Sequence, residues 1–221
     1  MLNRITKKWR KLAENKAFMK NLVLSPLFLV LSMITLKLSG LRADTIAAPA
    51  LPDFLHNLIP LTNVMYIATY GFILVQLLLW GYFITIEPKR LPYAMKVFGI
   101  FVIFRSIFIS LTTLGAPTIR LELVPVFEVL FGGLYFTQDL FPSGHTGSAF
   151  VGYLIARKKW MKKLMLFCTV VMGLSVLLLR VHYSIDVLGA LFVAYGAKGF
   201  YHELRKRSKR WELSWPQPVK I

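Results

Sequence analysis

The sequence predicts an all-α fold: a polytopic membrane bundle of six transmembrane helices with both termini in the cytoplasm. Three observations carry this prediction. Hydrophobic residues make up 56% of the 221 and charged residues only 17%, with a mean hydropathy of +0.59, a balance foreign to soluble domains. Six apolar runs recur, at about 22–39, 64–86, 93–114, 146–156, 164–179 and 187–197. The basic residues crowd onto alternate connections between them.

Residues 1–20 form a basic N-terminal segment. Leu2, Ile5, Trp9 and Leu12 recur at helical steps among Arg4, Lys7, Lys8, Arg10 and Lys11. That spacing predicts a short helix on the inner membrane surface, against the alternative of a disordered basic tail. The segment also resembles the start of a secretory signal, and Ala48-Pro49-Ala50 a cleavage site. That site lies about ten residues beyond the apolar run, too far for the usual processing geometry, so retention is expected.

Residues 21–203 form the six-helix catalytic domain. A span needs about 20 helical residues. The last three runs approach that length only with their flanking residues, and each carries polar residues at one end. The loop after the second run holds Lys89, Arg90 and Lys96, and the loop after the fourth holds Arg157, Lys158, Lys159, Lys162 and Lys163. Residues 204–221 form a basic tail, with Arg205, Lys206, Arg207, Lys209, Arg210 and Lys220. Alternate basic loops place both termini on the cytoplasmic side. The formal net charge of +17 is split among juxtamembrane segments, so its expected partner is anionic inner-leaflet lipid and not nucleic acid. The lone cysteine, Cys168, excludes an internal disulfide.

The polar residues converge on one membrane face. Arg105 and Thr112 lie on the third span, which runs outward. Asp139, Ser143 and His145 mark the outer start of the fourth, Arg180 closes the fifth, and His182 and Asp186 open the sixth. His145 and His182 are 37 residues apart, a path of about 55 Å in helix, one trip through a bilayer and back. Each site helix carries its polar group about 18 Å above an inner basic residue, Arg157 or Lys198. In a hydrocarbon core of about 30 Å this sinks a polar chamber into the outer leaflet.

His182 and Asp186 stand at i and i+4, on one helix face. A carboxylate there fixes the imidazole tautomer and leaves the other nitrogen for attack. His145 arrives from another helix as acid or base. Ser143 and Gly144 sit where the fourth helix should begin, and free helix-start amides attract phosphate. Arg105 and Arg180 supply positive charge; Arg105 pairing with Glu128 for structure alone is the plainer alternative. No group of residues has metal-ligand spacing, so neither metal nor cofactor is expected. The residues alone point to phosphoryl or phosphodiester transfer through a histidine-linked intermediate.

PSGH at 142–145 and HYSIDV at 182–187 resemble the type 2 phosphatidic acid phosphatase superfamily. The superfamily's general third motif has an Arg six residues before its nucleophilic His; here Val176 stands there, and Arg180 lies two before His182. The sphingomyelin synthase-like branch is closer. Its pattern of Asp, three residues, then Ser-Gly-His-Thr matches Asp139 and Ser143 to Thr146. Its His-Tyr-Ser/Thr-x-Asp-Val matches His182 to Val187, and its Arg with Thr seven positions on matches Arg105 and Thr112. Val102 and Gln138 depart from that branch, which has Tyr and Gly there. The resemblance covers about 88–200.

It implies His182 as nucleophile, Asp186 orienting it, and His145 as acid and then base. Arg105, Thr112, Asp139, Ser143, Gly144 and Arg180 are the expected substrate contacts. It also implies a phosphatidylcholine or phosphatidylethanolamine donor, ceramide or diacylglycerol as acceptor or product, and a site facing the outer (periplasmic, extracellular or lumenal) leaflet. Two other outcomes stay open: a lipid phosphatase or phospholipase C-type hydrolase, and a non-catalytic lipid carrier or scramblase. For choline recognition the candidates are Glu122, Phe127, Glu128, Tyr135 and Phe136, before the PSGHT stretch.

Overall fold

In the computed structural model, residues 2–112, 114–123 and 136–210 are described. Their regular structure is helical: α1 (Leu2–Ala13), α2 (Lys16–Asp44), α3 (Phe54–Leu58), α4 (Met65–Thr85), a 3₁₀ turn (Pro88–Arg90), α5 (Leu91–Leu111), α6 (Gly144–Ile155), α7 (Lys159–Leu178) and α8 (Ser184–Arg210). Among the described residues the only extended pairing is an isolated bridge between Ala50 and Gly115.

Among the described residues, four segments are long and apolar enough to cross a membrane: Lys16–Asp44, Met65–Thr85, Pro88–Leu111 and Lys159–Leu178. Six spans were expected. The run at 146–156 becomes α6, only 12 residues or about 18 Å long, well short of a hydrocarbon core. Ser143 caps its start, and Ala156 leaves helical geometry at ψ 145°. The 27 residues of α8 have the length, but Asp186, Lys198 and the basic end from Arg205 dilute their apolar character.

The first span, α2, is apolar outward and largely polar or small inward. On α2 the buried positions are Phe18, Asn21, Ser25, Ser32, Ser39, Gly40 and Ala43, while Val23, Leu27, Val30, Leu31, Ile34 and Leu38 are exposed. In lipid this inversion costs little, because the outer surface meets hydrocarbon. The small inward residues let α2 press against α5, its main partner. Each serine hydroxyl donates back to its own helix: Ser25 to Asn21 O, Ser32 to Phe28 O and Ser39 to Leu36 O. Asn21 also accepts a bond from Lys96 Nζ on α5.

The apolar core lies where α4 to α8 meet, around Leu79, Phe83, Val97, Phe101, Val151, Ile155, Met165 and Ala194. α6 packs against α7 and α8, and α4 against α7. Gly147 is required there, because a Cβ would overlap the Phe101 ring.

The basic segments gather at one end of the bundle. Trp9 Nε1 donates to Ile84 O at 3.0 Å and Lys8 Nζ to Ile86 O at 3.1 Å, so α1 satisfies carbonyls that α4 leaves open at its C-terminus. Tyr82 Oη accepts the amides of Arg157 and Lys158. Arg90 lies over the Tyr93 ring, which meets Tyr201 of α8 edge-on. His145 and His182 stand at the other end.

Candidate active site

Two helix starts build the site. Ser143 caps α6, its Oγ accepting the Thr146 amide. His145 is the second residue of that helix. Asp186 lies in the first turn of α8. The Ser143 amide donates to the Asp186 carbonyl at 3.0 Å, tying the two starts together. The imidazoles of His145 and His182 then face each other, with ring centroids 6.2 Å apart and planes at 68°.

Asp186 is fully buried. Its Oδ2 lies 3.2 Å from His182 Nδ1 and accepts the Tyr183 amide at 2.8 Å. A carboxylate only accepts, so Nδ1 carries the proton and Nε2 keeps a lone pair.

Arg105 organises the loop before α6. Its Nη2 donates to both the carbonyl and the carboxylate of Asp139 at 2.8 Å, and its Nε to Pro142 O at 2.9 Å. Asp44, at the end of α2, holds the same loop from the other side by accepting the Thr137 and Gln138 amides.

The segment 45–64 clamps the start of α8. Asp53 Oδ2 accepts the Ser184 amide at 2.7 Å and hydroxyl at 2.6 Å, and its Oδ1 accepts the His56 amide. Burial pushes the Asp53 carboxyl up, but these bonds outweigh it and hold the group below its ordinary value. His56 Nε2 donates to the His182 carbonyl at 3.0 Å, and its ring stacks on Tyr183. Arg180 Nη2 donates to the His56 carbonyl at 2.7 Å. Arg180 itself has φ +56° and ends α7 in a Schellman turn, with Arg180 N bonded to Leu177 O and Val181 N to Val176 O.

A cavity of about 380 Å³ opens from the histidines into the bundle. Arg105, Arg120, Asp139, Gly144, His145 and His182 line its polar end; Leu29, Met33, Phe72, Trp80, Phe98 and Phe101 line the rest. Five of the nine expected site residues thus border one space, with Asp186 behind His182 and Ser143 as the cap. Thr112 ends α5 and bonds Phe108 O. It and Arg180 are not among the lining residues. Of the loop residues, Phe136 lines the cavity and Glu122 does not; Phe127, Glu128 and Tyr135 lie outside the described residues, as does 211–221 of the tail.

Sequence reasoning missed Gln76, Phe72 and Arg120 of the lining, and Asp44, Asp53 and His56 of the supports. Gln76 carried a signal, a lone amide in an apolar run; the others became meaningful only through long-range contacts. Among the described residues, no three His, Cys, Asp or Glu side chains are grouped to hold a metal ion.

Residues 138–203, which include both histidines and Asp186, match the family described as PAP2 superfamily C-terminal. The match covers less than half of the chain, and it supports a place in the type 2 phosphatidic acid phosphatase superfamily. A lipid phosphatase or transferase type of activity is the class it suggests. No curated protein and no solved structure matches the chain.

Proposed function

We propose that this chain is a membrane lipid head-group transferase of the sphingomyelin synthase-like kind. It moves phosphocholine or phosphoethanolamine from a glycerophospholipid to ceramide. The observation that carries the reading is the pair of facing imidazoles, one oriented by a buried carboxylate, at the polar end of an otherwise apolar cavity. A phosphate with lipid chains attached suits such a space.

His182 Nε2 attacks the donor phosphorus. The bond from phosphorus to the diacylglycerol oxygen breaks as that oxygen takes a proton from His145. Asp186 stabilises the positive charge that grows on the His182 ring. The ceramide hydroxyl then gives its proton to His145 and attacks phosphorus, and the phosphorus–nitrogen bond returns its electron pair to Nε2. The amides at the start of α6 and the Arg120 guanidinium favour the phosphate charge. The apolar lining disfavours water, the competing acceptor.

Two further spans, α6 with its flanking loops and α8, complete a six-span topology. The basic end faces the cytoplasm and its anionic lipids, and the histidines face the outer leaflet.

The test uses purified protein in phosphatidylcholine liposomes with a fluorescent ceramide, and then with phosphatidylethanolamine as donor. Labelled phospholipid product that is lost in His182→Ala supports transfer. Diacylglycerol with free phosphocholine or phosphoethanolamine and no labelled product makes the protein a hydrolase. Lipid movement that survives His182→Ala makes it a carrier.

A further inference from the structure

The second apolar run holds one amide side chain, Gln76, on α4. It stands with Val75 and Leu79 on the inward side of that helix, where Leu74 and Leu77 point outward. Gln76 lines the cavity. Its Nε2 is buried and has no hydrogen-bond partner among the described residues. A buried donor left unbonded is costly, and polar side chains within a span are rare without a task. An apolar residue of the same length would fill the place without that cost.

The depth of Gln76 says what it meets. Phe72, one turn earlier on α4, has its ring centroid 4.7 Å from that of His145. Gln76 lies one turn, about 6 Å of helix rise, beyond the residue whose ring meets His145. In an N-acyl amino alcohol, the carbonyl oxygen is five bonds from the hydroxyl oxygen. Bonds of about 1.2–1.5 Å, bent at each centre, give a separation of roughly 5 Å. A hydroxyl at His145 brings the acyl carbonyl to the depth of Gln76.

We propose that Gln76 is a specificity residue that donates from Nε2 to the acyl carbonyl beside the reacting hydroxyl. This inference rests on the transferase reading of the site and names its acceptor class: lipid alcohols acylated next to that hydroxyl, the N-acyl amide being the strongest hydrogen-bond acceptor among them. A lipid alcohol with alkyl ethers there leaves Nε2 unbonded and binds less well.

The experiment measures equilibrium binding to the purified full chain, by displacement of a fluorescent short-chain N-acyl amino alcohol. The competitors are the unlabelled N-acyl lipid and a dialkylglycerol, which has no carbonyl. Wild-type protein should prefer the acyl lipid by about five- to tenfold. Gln76→Met, similar in length and apolar, should erase that preference while binding the dialkylglycerol as the wild type does. That unchanged binding is also the check that the variant is folded. A wild-type protein with no preference, or a preference kept in Gln76→Met, overturns the proposal. Turnover is followed in parallel. A Gln76-dependent preference with no head-group transfer sinks the transferase reading alone, and transfer with a Gln76-independent preference sinks this one alone.

Discussion

The backbone amide of Ser143 donates to the backbone carbonyl of Asp186 across 3.0 Å. One residue caps the helix that carries His145, and the other orients His182. The two halves of the proposed chemistry are therefore joined by a bond that only proline at 143 would delete. Variants at these positions can alter the chemistry while the helix starts stay in register.

Asp186→Asn should lower turnover by about 10²–10⁴-fold, because an amide can offer a donor to Nδ1 and favour the wrong tautomer. His182→Ala should abolish it. Turnover in liposomes and thermal unfolding in detergent, run side by side, check this. A parallel collapse of stability would point to a purely structural role.

Arg105→Ala should cost about 3–5 kcal/mol, because it strips the partner from a carboxylate whose side chain is only 15% exposed. The double variant Arg105→Ala/Asp139→Ala should recover part of that loss. Arg105→Lys should rescue little, since one ammonium cannot reproduce bonds to Asp139 and Pro142 from a planar fork. Unfolding midpoints of these variants, of Asp139→Ala and of the wild type test the coupling.

Arg180→Gly should be more stable than Arg180→Ala by about 1 kcal/mol. Both lose the guanidinium bond to His56, but only glycine adopts φ +56° without a Cβ penalty. Equal stability of the two would mean that the turn relaxes.

Asp53 should make the clamp on α8 acid-sensitive. Its folded-state value is depressed, so its stabilisation is present above the unfolded value of about 4 and is lost as pH falls through the folded one. Hydrogen exchange of residues 45–64 at pH 6 and pH 3 should show loosening at the lower pH. Asp53→Asn should be loose at both.

Gly147→Ala should cost about 1–3 kcal/mol by overlap with Phe101. Gly196→Ala, where a Cβ meets nothing within 4 Å, should gain up to about 1 kcal/mol. Unfolding midpoints should move in opposite directions.

Much of the bundle was legible because lipid demands long apolar helices, and those leave a plain signature. The runs at 22–39, 64–86 and 164–179 fall on α2, α4 and α7, and the run at 93–114 falls on α5 up to Leu111. The run at 146–156 marked a helix but not its shortness, because Phe150 to Ile155 are apolar whether or not they span. The meeting of His145 with His182 was legible from chain length and direction alone. The partner of Arg105 was not: Glu128 was the alternative considered, whereas Asp139 accepts the bond. Arg180 was expected at the substrate, but its bond goes to the His56 carbonyl, a contact 124 residues away in the chain. No local pattern records such a pairing. The same holds for Asp53 and Ser184, 131 residues apart.

The attachment of α2 has a consequence of its own. That helix leans chiefly on α5, yet it lends Leu29, Met33 and Leu36 to the cavity. At its end, Asp44 holds the loop that leads into α6. One helix thus sets the gauge of the cavity along its middle and supports the mouth at its end. Under the proposed transfer, bulkier side chains at those three positions would shorten the lipid tails accepted and leave the two imidazoles in place.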